Sequence, residues 1–170
     1  IALIFISVYA FGQSCCFVTK DEMQLMASNK AFMRSHKLPK PYQHISKAGG
    51  EMITFATPDG QQANAFYIKA AKPTNYTLFV FQEWWGLNDH IKREAEHFYT
   101  DLGNVNVLAI DMYDGKVATT REEAGKYMGG ANPLRLESII KGAIAYAGSK
   151  AKIATVGWCF GGALSLKASI

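Results

Sequence analysis

Cys159 stands in the run Gly157-Trp158-Cys159-Phe160-Gly161-Gly162, with a glycine two residues before it and another two residues after. This is the G-x-nucleophile-x-G pattern of a nucleophile elbow, a sharp strand-to-helix turn that lifts one side chain above a sheet. A cysteine at the apex predicts covalent catalysis by a thiolate. A side chain at Gly157 or Gly161 would crowd the turn, and Gly162 is expected to let the next helix approach the sheet closely. The dipole and free amides of that helix are expected to lower the Cys159 pKa. The Phe160 N–H points to the same place and is one candidate oxyanion donor. The second is expected from the loop Glu83-Trp84-Trp85-Gly86, with the Trp84 N–H as candidate. The competing reading of Cys159 is a buried core thiol or a bystander in a glycine-rich turn; the strand before it and the helix after it favour the elbow.

These residues need elements to hold them. Residues 76–82, 105–111 and 152–157 are almost continuously apolar, the mark of strands buried on both faces. Helices are expected over 89–102, with Ile91, Ala95, Phe98 and Leu102 inward, and over 120–128, 133–147 and 160–169. Two shorter strands, 51–57 and 63–70, flank Pro58-Asp59-Gly60 and read as a hairpin. Residues 21–34 fit a short helix and 37–50 a loop. The alternation of strand and helix predicts an α/β fold, a three-layer sandwich around a mostly parallel sheet. Ligands of such sheets bind beyond the carboxyl ends of the strands. Glu83, Asp111 and Cys159 each lie at or just past such an end, so topology predicts that they converge.

A chain of 170 residues holds one domain with a real core. The formal charge of +4 comes from scattered Lys and Arg, without a basic run or a nucleic-acid motif, so no nucleic-acid partner is expected. No Cys/His cluster has zinc-ligand spacing and no phosphate loop or dinucleotide fingerprint is present, so no metal and no organic cofactor are expected. Residues 1–14, IALIFISVYAFGQS, are apolar and uncharged, and fall short of a membrane span of about 20 residues. They resemble the apolar region of a signal peptide, with Gly12-Gln13-Ser14 as a small-x-small cleavage site. Export to the periplasm or outside the cell is therefore expected, with no stable membrane span after processing. A buried N-terminal strand and a cytoplasmic location form the alternative. Cys15 follows directly, but the residues before it fit a lipid-attachment signal poorly. Residues 15–50 read as a polar extension and 51–170 as the α/β portion.

Two segments together carry a family resemblance. Gln82-Glu83-Trp84-Trp85-Gly86-Leu87-Asn88 is similar to a Q-E-x-x-G-x-N loop, and residues 157–162 to the matching cysteine elbow; Ile110-Asp111-Met112-Tyr113 also fits. On these residues the chain resembles the dienelactone hydrolases, the cysteine branch of the α/β-hydrolase fold, over roughly residues 51–170. The resemblance implies a carboxylic ester hydrolase of the carboxymethylenebutenolidase kind, acting on a small-molecule ester or lactone. It implies Cys159 as nucleophile, Glu83 as the glutamate that helps activate the thiol, and Trp84 and Phe160 as the oxyanion-hole amides. Trp85, Tyr113 and Trp158 are candidates for an aromatic pocket, Trp158 being the better candidate for core. The family places a carboxylate-binding arginine after the Asp-x-Tyr segment; here Asp114-Gly115-Lys116 stands, and Lys116 lacks the planar fork of arginine.

The family order is nucleophile, acid, histidine. Only FGGALSLKASI follows Cys159, with no Asp, Glu or His. The four histidines, His36, His44, His90 and His97, all precede the thiol and are expected to serve surfaces or seams, not the site. The chain thus reads as the N-terminal part of a longer hydrolase, cut after the nucleophile helix and inert alone. A non-catalytic binding or structural domain of the same fold is the alternative, and the Glu83–Cys159 pairing favours the enzyme.

Overall fold

A computed structural model describes residues 20–169. The expected signal over residues 1–14 and the adjoining Cys15 and Cys16 lie outside the described residues. Helices α1 (Lys20–Ser28) and α2 (Lys30–Ser35) come first. The single helix expected over 21–34 is broken at Asn29, whose side chain accepts the N–H groups of Ala31 and Phe32. An amide oxygen offered to free N–H groups starts a new helix, so Asn29 both ends α1 and caps α2.

Residues 37–50 form no regular element, as expected, but they are strapped to the helix α3 (Asp89–Leu102). Glu96 accepts the N–H groups of Lys47 and Ala48 and pairs with His44 at 2.8 Å, while Asp89 accepts the His44 N–H. His90 Nε2 lies 2.8 Å from the Lys40 carbonyl.

Strands β1 (Glu51–Ala56) and β2 (Gln62–Ile68) form the expected antiparallel hairpin. After them come β3 (Tyr76–Phe81), α3, β4 (Asn106–Ile110), α4 (Arg121–Gly129), α5 (Pro133–Ala147), β5 (Lys152–Gly157) and α6 (Phe160–Ala168). Sheet order is β1-β2-β4-β3-β5, with β3 parallel to both β4 and β5. β2 runs against the other four strands, which leaves the sheet mostly parallel.

Strand alternation sorts the core into two layers. Phe79, Phe81, Leu108 and Ile110 face Met128 of α4, Ile139 of α5 and Leu164 of α6. Leu78, Val80, Val107 and Ala109 face Ile91 and Ala95 of α3. Helices on both faces complete the three-layer sandwich. β5 departs from expectation: no residue of it is fully buried. It pairs only with β3 among the described strands, and so sits at an edge where α6 covers one face. No helix among the described residues is long and apolar enough to cross a membrane.

The register then sets the site. Phe81 pairs with both Ile110 and Gly157, so β3, β4 and β5 end level with one another. Glu83, Asp111 and Cys159 leave the sheet from that one edge.

Candidate active site

Cys159 is the N-cap of α6 and holds φ 54°, ψ −119°. An L-residue in this region costs about 1–3 kcal/mol, and only surrounding packing maintains it. That packing is backbone on backbone. A methyl group at Gly157 would land on the Gly161 carbonyl, and one at Gly161 on the carbonyls of Phe81 and Gln82. Both glycines are therefore required, as the sequence implies. Gly162 is not: a methyl group there would lie 3.4 Å from the Gly157 oxygen, an ordinary contact.

Cys159 is an exposed residue. The backbone N–H groups of Phe160 and Trp84 both act on it and favour the thiolate. They do not prevail. Burial of the remaining sides pushes the thiol above its ordinary 9.0, and the Glu83 carboxylate adds to this. The expected fall in Cys159 pKa is thus reversed, because desolvation outweighs the helix amides. Glu83 is half-buried, and burial raises its pKa too, against an opposing electrostatic pull from His36 and His90. Thiol and carboxyl are therefore both biased toward their neutral forms.

His36, expected to lie away from the site, is beside the thiol: its Nε2 stands 3.6 Å from Cys159 Sγ. Helix α2 delivers it. Phe32 packs edge-on against Trp84, with ring centres 5.2 Å apart, and the imidazole lies 4.2 Å from Phe32 and 5.0 Å from Trp84. Arg121 of α4 donates from Nε to the His36 carbonyl at 2.9 Å. A contact with the sulfur from a residue that precedes the elbow was not anticipated from the order nucleophile, acid, histidine. The remaining signal in the sequence was Asn29, which starts α2 and so aims its last turn.

The other candidates separate. Trp84 is fully buried, fixing the amide it presents. Trp85, expected to line a pocket, is 3% exposed and packs T-shaped on Trp84 within the core. Trp158, expected as core, is exposed beside Phe98, because β5 is an edge. Asp111 is buried and accepts the N–H groups of Tyr113 and Gly115, so it shapes the loop that carries Tyr113. The Tyr113 ring lies 5.3 Å from Phe160. Its buried hydroxyl has no hydrogen-bond partner among the described residues, and burial and then the Cys159 charge push its pKa upward. Tyr113 and Lys116 also line a cleft of about 550 Å³ with Lys126, Tyr127 and Arg135, a cleft whose wall does not include Cys159. Arg135 was missed in the sequence; it bridges Asp114 at 2.6 Å and Asp59 at 3.1 Å, pinning the β1–β2 turn to α5. Among the described residues, no group of three His, Cys, Asp or Glu side chains is placed to hold a metal ion.

A mostly parallel sheet between helix layers, with a strained nucleophile elbow at the carboxyl edge, defines the α/β-hydrolase class. Residues 64–170 match the dienelactone hydrolase family, and the chain belongs to it. Over 128 residues it is 30% identical to Protein usf of Aquifex pyrophilus, covering 69% of this chain and 54% of that protein. Among solved structures it is similar in fold to m3DLH, with a TM-score of 0.57 and 23% identity over 70% of this chain and 52% of that one. It is similar too to a dienelactone hydrolase-like promiscuous phosphotriesterase from metagenomic libraries, with a TM-score of 0.54 and 24% identity over 70% and 53%. The chain spans about half the length of these relatives.

Proposed function

We propose that the protein is a thiol-dependent hydrolase of ester or lactone bonds in small molecules. One observation carries this reading: Cys159 sits at a strained elbow where the Phe160 and Trp84 N–H groups both act on its sulfur. Two fixed donors beside a nucleophile suit the tetrahedral intermediate of acyl transfer, whose oxyanion they hold without reorganisation. Sulfur attacks the carbonyl carbon, the alcohol leaves, and water releases the acid from the acyl-thioester. Glu83, at the same edge, tunes the charge around the thiol. Dienelactone-type substrates carry a carboxylate; Lys116 and Lys126 of the neighbouring cleft offer positive charge to such a group, though without an arginine fork. The apolar opening residues favour an exported protein. The test of the reaction class is p-nitrophenyl acetate hydrolysis. Turnover lost in Cys159→Ala and strongly reduced in Cys159→Ser, with unchanged circular dichroism, supports the thiol; full turnover in Cys159→Ala refutes it and points to a differently placed centre.

A further inference from the structure

We infer that Tyr113 determines specificity: its hydroxyl donates a hydrogen bond to a second oxygen in the acyl part of the substrate, so esters and lactones with an ether or keto oxygen near the reacting carbonyl are preferred. The inference rests on the thiol-hydrolase reading above and names the substrate class of that site. Three observations carry it. The first is position. Tyr113 is on the wall of the 550 Å³ cleft, yet its ring also lies 5.3 Å from that of Phe160, the residue whose N–H acts on the sulfur. It thus touches both the cleft and the elbow, which the cleft wall itself does not include. The second is the hydroxyl. Tyr113 is 5% exposed, and its oxygen has no hydrogen-bond partner among the described residues. A buried donor left unpaired is destabilising, and phenylalanine in the same place would avoid that penalty. The third is that Arg135, on the same wall, is already engaged. Its N–H groups go to Asp114, Asp59, Thr57 and the Gln62 carbonyl, so it does not serve a ligand.

Burial is what makes such a donor discriminate. Water does not satisfy the hydroxyl at rest, so a substrate oxygen that reaches it adds a whole hydrogen bond, while a methylene in the same place leaves the donor unpaired. The hydroxyl meets the ligand when the ring turns toward the cleft that it already lines. Its backbone is held for this. Asp111 accepts the N–H groups of Tyr113 and Gly115, and Arg135 holds Asp114 between them. Burial and then the Cys159 charge push the phenol above its ordinary 10.0, so it remains a neutral donor at pH 7. Lys116 and Lys126 of the same cleft offer charge to an anionic group; Tyr113 reads a neutral oxygen, closer to the elbow.

The experiment uses a parent chain with Cys15→Ser and Cys16→Ser, which leaves Cys159 as its single thiol. It compares that parent with Tyr113→Phe. Two reagents modify the thiol whether or not an ester is turned over: 2-methoxyethyl methanethiosulfonate and butyl methanethiosulfonate, which differ by an ether oxygen in place of a methylene. In each case Sγ bonds to the alkylthio sulfur, methanesulfinate leaves, and the thiol proton passes to solvent. The readout is the ratio of the two rate constants, ether over alkyl, so the reagents' own reactivities cancel between the proteins. The ratio is expected to fall about fivefold in Tyr113→Phe, the worth of one neutral hydrogen bond. The urea midpoint of Tyr113→Phe should be no lower than the parent's, because the substitution removes an unpaired buried hydroxyl. An unchanged ratio overturns the inference. A lower midpoint, or a Tyr113→Phe chain that fails to fold, assigns the hydroxyl to the fold and overturns it as well. Turnover of p-nitrophenyl acetate by Cys159→Ala is read alongside. If that turnover is lost while the ratio ignores Tyr113, this inference alone fails; if it is fully retained, the thiol reading fails and the role given to Tyr113 fails with it.

Discussion

Gly161→Ala probes how the elbow is held, and its size can be worked from the structure. The new methyl carbon would lie 2.7 Å from the Phe81 carbonyl carbon, with the oxygens of Phe81 and Gln82 closer still. An ordinary contact begins near 3.4 Å, so α6 must retreat from β3 by about 0.7 Å or more. The obstacle is strand backbone, which no rotamer change relieves. Overpacking of this kind costs about 1–3 kcal/mol. Alanine returns up to about 1 kcal/mol as the better helix former, so at full return the net loss is roughly 0–2 kcal/mol. Gly162→Ala is the internal control. It sits in the same helix turn without the clash, so only the helix gain of up to about 1 kcal/mol remains. The urea midpoint at pH 7 should therefore be lower for Gly161→Ala than for Gly162→Ala. Misplacement of the nucleophile by about 1 Å should also lower turnover roughly 10²-fold in Gly161→Ala alone. Equal midpoints for the two variants would refute the close backbone packing on which the elbow argument stands.

Two further outcomes concern pH. Glu83 has a folded pKa above its ordinary 4.5, chiefly through burial, so the folded state holds this proton more tightly than the unfolded state. Its contribution turns unfavourable as pH rises from below 4.5 through the raised value. Glu83→Gln should be more stable than the parent at pH 7 and close to it near pH 4; urea midpoints that show no such crossover would contradict the assignment. Asp59 shows the reverse sign. The Thr57 hydroxyl, then the Gln61 N–H and Arg135, hold its carboxyl at about 2 against an ordinary 3.8. Its contribution is present above 3.8 and lost as pH falls through about 2. Asp59→Asn should unfold more easily at neutral pH and flatten the decline between pH 4 and pH 2, and parallel pH curves for the two proteins would argue against it.

The parts of the fold legible in the sequence are those settled by local chemistry. α3, α5 and β5 run over the residues expected, because Asn88 and Asn132 cap the two helices, Pro133 opens α5, and residues 152–157 are a short apolar run. The convergence of Glu83 and Cys159 was legible as well, since parallel strands in one sheet must present their carboxyl ends together. What escaped depends on packing between distant segments. Thr120 and Glu123 form a capping box that starts α4, yet nothing local says that Arg121 beside them will reach the His36 carbonyl. His36 lies 123 residues from Cys159 in a polar stretch, and only the docking of Phe32 on Trp84 brings it to the sulfur. Arg135 was hidden for the same reason: its carboxylate partners sit on a hairpin turn and on the loop after β4. The thiol pKa was misjudged because a helix N-terminus can be read from sequence, whereas the burial that opposes it cannot.

That reversal bears on how such a centre works. The Phe160 and Trp84 N–H groups that favour the thiolate are the donors an oxyanion needs. A sulfur ionised at rest would already engage them, stabilising the ground state as much as the transition state and accelerating nothing. Burial and the neighbouring Glu83 bias the sulfur toward its neutral form, which leaves the two donors to an incoming carbonyl oxygen.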